Sequence, residues 1–396
     1  MKQIKFSIPN IEKSHIKDVE NVIKSGWLTH GKYTELFENK FKDLTKSKFA
    51  ITVSSCTAGL HLICVASGFK KGDEVIVPAM SHTATSHAVE YTGAKAVFCD
   101  VNLPSGNVSI ETIKKKLTNK TKGIIVVHMA GSPCDMVRIS NFCKRKGIKL
   151  IEDCAHAVGT TFKQKHAGNF GVAGSFSFYP TKQITTGEGG MIISNNRKFF
   201  LKLKRLKQFG IDKDIKDRKR QGEYDVVDLG YNYRMTDFQS SLGYNQIMNY
   251  KNNLKKRHII AKRYIQNFKK NQKINHMSYS KECSFFVFQI FSKKRNKLLE
   301  FLKKKNIGVS VHYINPLPKM KYYKDKYNLK ISNFKNAQKY ADSNISLPIY
   351  PKLSLKEVDL ISNIQVFSWH FLRNHSLFVS SFYLNLNLEA FLFFCS

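Results

Sequence analysis

From residue 50 to about 195 the chain alternates short β-rich runs with helix-like segments, and that alternation admits few folds. The runs are Ala50-Ile-Thr-Val53, Glu74-Val-Ile-Val77, Ala94-Lys-Ala-Val-Phe98, Gly123-Ile-Ile-Val-Val127, Lys149-Leu-Ile151, Ser175-Phe-Ser-Phe178 and Met191-Ile-Ile193. Candidate helices lie between several of them, near residues 58–68, 109–117 and 135–146. Runs joined by crossover helices predict an α/β fold whose largely parallel sheet is covered by helices on both faces. Such sheets bind ligands beyond the carboxyl ends of their strands. Polar and glycine-bearing blocks follow the runs at those ends: Ser54 to Gly59, Ser81 to Thr85, Asp153 to His156, and the loop with Lys182.

Further on, residues 236–271 carry apolar positions at Phe238, Leu242, Ile247, Leu254, Ile259, Ile260, Tyr264 and Phe268, a spacing that predicts one long helix. After it, Ser284 to Phe291 and Ser310 to Ile314 read as strands and Asn296 to Asn306 as a helix. A chain of 396 residues exceeds the roughly 250 to 300 at which single cores stop growing. We therefore expect a large domain over residues 1–245 and a smaller α/β domain over 246–364. The stretch 365–396 is different in character, with nine aromatics and only Arg373 and Glu389 as charges. Three readings compete for it: first a frameshifted reading frame, then a packing extension, then a membrane anchor interrupted by Ser380, Ser381, Asn385, Asn387 and Glu389.

The net charge of +36, from 65 Lys and Arg against 29 Asp and Glu, would ordinarily suggest a polyanionic partner. The excess is diffuse, however, and lacks the aromatic-basic interleaving of a strand-binding groove, so no nucleic-acid partner is expected. Eight cysteines without a Cys-x-x-Cys spacing indicate neither a zinc ribbon nor a disulfide framework, so no metal is expected. Reduced thiols and an amino terminus without a secretory apolar stretch point to the cytoplasm, with no membrane association.

Lys182 lies in Ser175-Phe-Ser-Phe-Tyr-Pro-Thr-Lys-Gln-Ile-Thr-Thr-Gly-Glu-Gly-Gly190, between a β run and a glycine-rich turn. An amine becomes a nucleophile only when partly deprotonated, which burial or a neighbouring positive charge brings about. Asp153, in Ile151-Glu-Asp-Cys-Ala-His-Ala157, ends another apolar run, where its carboxylate could face a cationic ring nitrogen. A lysine and an aspartate so disposed are the pair that pyridoxal 5'-phosphate requires.

These segments resemble the sugar aminotransferases of the DegT/DnrJ/EryC1/StrS family over roughly residues 5 to 364. The resemblance rests on Ser25-Gly-Trp-Leu-Thr-His-Gly31, Ser54-Ser-Cys-Thr-Ala-Gly59, Pro78-Ala-Met-Ser-His-Thr-Ala-Thr85, Glu152-Asp-Cys-Ala-His156, the lysine block and Gly230-Tyr-Asn-Tyr-Arg-Met235, in family order. It implies the type I pyridoxal phosphate-dependent aminotransferase fold and a reaction that moves an amino group from a donor, with glutamate expected, to a nucleotide-linked keto-sugar. The setting it implies is the synthesis of surface polysaccharide or glycan precursors. By the same resemblance Lys182 would be covalent anchor and acid/base, Asp153 the partner of the ring nitrogen, and His156 a neighbour of the ring. Thr57, Ala58 and Ser177 would hold the phosphate. His82 stands where relatives usually present a larger aromatic ring. Asn232 would reach the cofactor of a second subunit, which implies a homodimer with shared sites, while the sequence leaves Arg234 either structural or anion-binding. Thr29, Gly31, His312 and Tyr313 would face substrate, although Lys32 stands where relatives commonly have proline. Two alternatives accompany this reading: a sugar dehydratase of the same family, which would normally replace the lysine, and a degenerate relative without activity.

Overall fold

The computed structural model describes residues 3–103, 105–213, 218–271 and 274–372. Twelve strands are present among them: β1 (Phe49–Val53), β2 (Glu74–Pro78), β3 (Lys95–Cys99), β4 (Thr121–Val127), β5 (Lys149–Asp153), β6 (Thr161–Phe162), β7 (Lys165–His166), β8 (Ala173–Ser177), β9 (Gly190–Ser194), β10 (Asn275–His276), β11 (Phe288–Phe291) and β12 (Asn344–Leu347). Seven form one sheet in the order β1-β9-β8-β5-β4-β2-β3. Every neighbouring pair in it is parallel except the two that involve β9, which runs against both β1 and β8. A mainly parallel mixed sheet with helical crossovers is the architecture expected from the sequence.

The strands are apolar because both faces are covered. Val75, Ile76, Val77, Ile124, Ile125, Val126 and Ile151 are all buried in one cluster, and Phe37, Phe41, Phe176 and Phe178 in another. In the second, the Phe41 ring lies 4.9 Å from Phe176 and the Phe37 ring 5.0 Å from Phe178. A separate antiparallel sheet, β10-β11-β12, builds its own core from Tyr264, Phe268, Phe288, Ile290, Leu298, Leu302 and Ile345.

Two departures from the sequence reading have clear causes. The single helix expected over 236–271 is two, Asp237–Met248 and Tyr250–Asn271, broken at Asn249. The first packs against the helices Lys13–Lys24 and Lys32–Thr45, and the second against Leu355–Leu372, so the chain must change partner there. The run from Ser284 pairs as a strand only from Phe288, and Ser310–Ile314 contributes a single bridge, Ser310 to Ser346. Of the atypical stretch 365–396, residues 373–396 lie outside the described residues.

At the end of β5 the fully buried Glu152 organises the turn that feeds β8. One carboxylate oxygen accepts the amides of Phe170 (2.7 Å) and Gly171 (2.9 Å); the other accepts Gly168 (2.7 Å) and faces His128 Nε2 at 3.2 Å. Because His128 Nδ1 already accepts the Cys134 amide at 3.2 Å, the grouping of His128, Glu152 and Cys154 is a structural network with no ring nitrogen to spare for an ion. Glu152→Gln would set a side-chain NH2 against an amide donor on one side. We expect it to cost roughly 2 to 4 kcal/mol, read as a lower midpoint of urea unfolding; an unchanged midpoint would remove this role.

Candidate active site

Parallel strands deliver their carboxyl ends to one edge, and the candidate residues collect there. Asp153 is the last residue of β5 and is 3% exposed. Its Oδ2 accepts the Thr85 hydroxyl at 2.7 Å and its Oδ1 the Ala155 amide at 3.0 Å. Thr85 in turn meets the Ser81 hydroxyl at 2.6 Å, so the block after β2 grips the carboxylate at the end of β5.

Lys182 rides on the loop, residues 178–189, that joins β8 to β9, and because β9 is antiparallel to β8 that loop returns without a crossover helix. Its amine lies 4.1 Å from the centroid of the Phe286 ring. Burial pulls its pKa down to about 8, against smaller opposing pulls from Cys56 and from Asp153, so the carboxylate and the amine feel one another across the site. At pH 7 roughly one such amine in ten is free, compared with about one in a few thousand for an ordinary lysine.

His156 is buried with both ring nitrogens engaged. Nδ1 accepts the Ala130 amide at 3.3 Å, so the ring proton belongs on Nε2, which lies 3.2 Å from the Tyr313 hydroxyl. Burial, reinforced by Lys182, His312 and His82, holds its pKa well below the usual histidine value and keeps it neutral. The ring stacks on Phe286 at 4.3 Å. His312 is pushed down to about 3 by burial and by Lys182 and His82, and its Nδ1 meets Ser346 Oγ at 2.9 Å. Burial drives the Tyr313 hydroxyl pKa up, and its ring lies edge-on to His82 at 5.8 Å. His82 caps the helix Thr83–Glu90 by accepting the Ala84 amide at 3.2 Å.

Beside this cluster the helix Cys56–Ala66 presents its amino end. Ser55 is its cap and accepts the Ala58 amide at 3.0 Å, which leaves Thr57, part-buried, in the first turn without that duty. The end of β8 abuts it: Ser177 pairs with Gly190, and a Cβ on Gly190 would lie 2.6 Å from the Ser55 carbonyl carbon. Close backbone approach is therefore what that glycine permits.

Lys182, Asp153, His156, His82, His312 and Tyr313 thus form one group, with Thr57, Ala58 and Ser177 along its border. Thr29 and Gly31 are held differently. Buried Asp237 accepts the amides of Gly31 (3.1 Å), Tyr33 (3.2 Å) and Thr34 (2.8 Å), fastening their loop to the start of the helix that follows Met235. Asn232 is exposed, one residue before Tyr233, whose carbonyl accepts the Ser54 amide at 2.9 Å. Arg234 lies over the Phe209 ring at 5.2 Å. Sequence reasoning missed Phe286, Asp237 and the Thr85–Ser81 pair. Only the last had a signal, since it lies inside a block already singled out.

The chain is similar to known proteins over nearly its whole length. The family model for the DegT/DnrJ/EryC1/StrS aminotransferase family matches residues 9–365. The chain is 35% identical over 366 residues to the spore coat polysaccharide biosynthesis protein SpsC of Bacillus subtilis, covering 89% of this chain and 94% of that one. It is 33% identical over 362 residues to GDP-perosamine synthase of Escherichia coli O157:H7, covering 90% and 96%. Among solved structures, a candidate sugar aminotransferase of Streptococcus pneumoniae, Spr1654, in its PMP form superposes with a TM-score of 0.88 at 30% identity, over 93% of this chain and 100% of that one. Helicobacter pylori PseC, an aminotransferase involved in the biosynthesis of pseudoaminic acid, gives 0.87 at 28% over 93% and 100%. With the matched region spanning the two larger sheets and every residue of the cluster, the chain belongs to the DegT/DnrJ/EryC1/StrS aminotransferase family.

Proposed function

We propose that the protein is a pyridoxal 5'-phosphate-dependent aminotransferase that converts a nucleotide-linked keto-sugar to an amino-sugar, with glutamate as donor, in the synthesis of a surface polysaccharide or glycan. The observation that carries it is the low-pKa amine of Lys182 sharing one strand-end cluster with the buried carboxylate of Asp153. The names of similar proteins, a GDP-perosamine synthase and a spore coat polysaccharide protein, support the sugar and the setting. Solved relatives in PLP and PMP forms support the cofactor.

The residues present fit that group. A helix amino end with Ser55 and Thr57, approached closely by Gly190 and flanked by the Ser177 hydroxyl, suits a phosphate. When bound, the cofactor supplies an electron sink that stabilises negative charge at the carbon losing its proton. Lys182 would hold it and move that proton, since an amine with a pKa near 8 can both take and return one near neutral pH. Asp153, held by Thr85 and the Ala155 amide, would favour the protonated ring nitrogen. Neutral His156 would neighbour the ring, fixed by Tyr313 and Ala130. His82 would lie against the cofactor face, and Thr29, Gly31, His312 and Tyr313 toward substrate. A dehydratase is disfavoured by the presence of Lys182.

Asn232, exposed beside the Ser54 turn, would complete the phosphate site of a second copy, giving a homodimer. We place the domain division at residues 1–245 and 246–364; the smaller sheet has a core of its own, while Met277, Phe286, Tyr323 and Tyr340 from the second segment pack into the core of the large sheet and Ile4 into that of the smaller one. Among the described residues no helix is long and apolar enough to cross a membrane. Cys56, Cys64, Cys99, Cys134, Cys143, Cys154 and Cys283 are free and buried, in keeping with a cytoplasmic enzyme.

Lys182→Ala should abolish the visible absorbance of the lysine–cofactor linkage and lower turnover by at least about 10³-fold; retained turnover would refute the assignment. In protein stripped of cofactor, competitive acetylation followed by peptide mass analysis should find Lys182 reacting with a midpoint near pH 8. Only the free amine reacts, so labelling rises with pH through that value. Asp153→Asn should move the midpoint lower, because the carboxylate favours the ammonium; a midpoint like that of surface lysines would contradict the burial argument.

A further inference from the structure

The face of an aromatic ring, rather than an oxygen, meets the amine of Lys182. Its Nζ lies 4.1 Å from the Phe286 centroid, and among the described residues no side-chain hydrogen bond reaches it. Phe286 is 3% exposed, stacks on His156 at 4.3 Å and meets His312 edge-on at 5.5 Å. It therefore touches three of the residues that sequence reasoning chose.

The ring is held there by its backbone. Ser284 and Phe286 donate their amides to Gly131 and Ala130 carbonyls, both at 3.1 Å. Ala130, Gly131 and Phe285 all have left-handed backbones, with φ of 56°, 90° and 49°; two are not glycine, so the surroundings must impose the conformation. Beneath lies Arg257, 3% exposed, whose Nη1 donates to the carbonyls of Ile349 (2.6 Å), Phe285 (3.1 Å) and Phe286 (3.5 Å). A buried guanidinium directed to three carbonyls is a costly fixture for an ordinary loop.

A ring face attracts an ammonium without offering a lone pair, and its hold on the neutral amine is dispersion alone. We propose that Phe286 is a positioning residue that receives the Lys182 amine whenever it is not joined to the cofactor, keeping it inside the site and available to carry a proton. The proposal rests on the role given to Lys182 above. A carboxylate in the same place would hold the ammonium more tightly and suppress the free amine. The other groups facing this amine are the Asp153 carboxylate, which favours its charged form, the Cys56 thiol, which burial keeps protonated, and the His82, His156 and His312 rings.

The test compares wild type with Phe286→Leu and Phe286→Met, which remove the ring, and Phe286→Tyr, which keeps it. In full-length protein stripped of cofactor, the pH midpoint of Lys182 acetylation should fall by roughly half to one unit in the ring-free variants and stay near wild type in Phe286→Tyr. With pyridoxal phosphate restored, kcat should drop about tenfold without the ring while KM for L-glutamate changes less than twofold, and Phe286→Tyr should restore kcat. An unmoved or raised midpoint in both ring-free variants overturns the proposal, as does an unchanged kcat. The acetylation arm needs no cofactor: if the midpoint falls as expected but wild-type protein never binds pyridoxal phosphate, it is the aminotransferase reading that fails, and the catalytic use of the ring with it.

Discussion

The structure depends on the reversal of a single strand. Were β9 parallel to its neighbours, the chain leaving β8 would have to cross the sheet through a helix before returning. Because β9 runs against β8, the two are joined by a helix-free loop, residues 178–189, that stays at the carboxyl edge, and Lys182 sits on that loop. The edge already carries Asp153, the cap of the helix Cys56–Ala66 and the Ser81–Thr85 block. Strand direction thus keeps the amine that follows β8 beside the carboxylate that ends the neighbouring β5, in one desolvated neighbourhood.

Desolvation then sets the protonation states. The same burial that lowers the pKa of Lys182 keeps His156 and His312 neutral and raises the Tyr313 hydroxyl. Each shift favours the uncharged form, as expected where polar groups are packed among aromatic rings. In the same surroundings the Asp153 carboxylate is held by a hydroxyl and an amide.

Much of this was legible in the sequence, for a physical reason. Parallel strands buried on both faces must be apolar, so β1 to β5 announce themselves as runs, and the loops at their ends carry the polar residues. Lys182, Asp153 and His156 could be found in that way. The break at Asn249 could not, because apolar spacing continues through it and only the change of packing partner divides the helix. Phe286 was hidden for a related reason. In the run Ser284 to Phe291 a strand and a strap read alike, and the difference lies in pairing with Ala130 and Gly131, more than 150 residues away along the chain. Nothing in the sequence marks Asp237, whose carboxylate serves three amides near residue 31.

That last attachment constrains how the protein can vary. The loop of Thr29 and Gly31 and the segment leading from Asn232 into Asp237 are separate in sequence but braced by one buried carboxylate. Neither can be reshaped alone: a new loop at residues 29–34 that withdrew its amides would strand a charge in the interior, and a shift of the 232–237 segment would drag that loop with it. A change of shape at one end of the brace must therefore be matched by a change at the other.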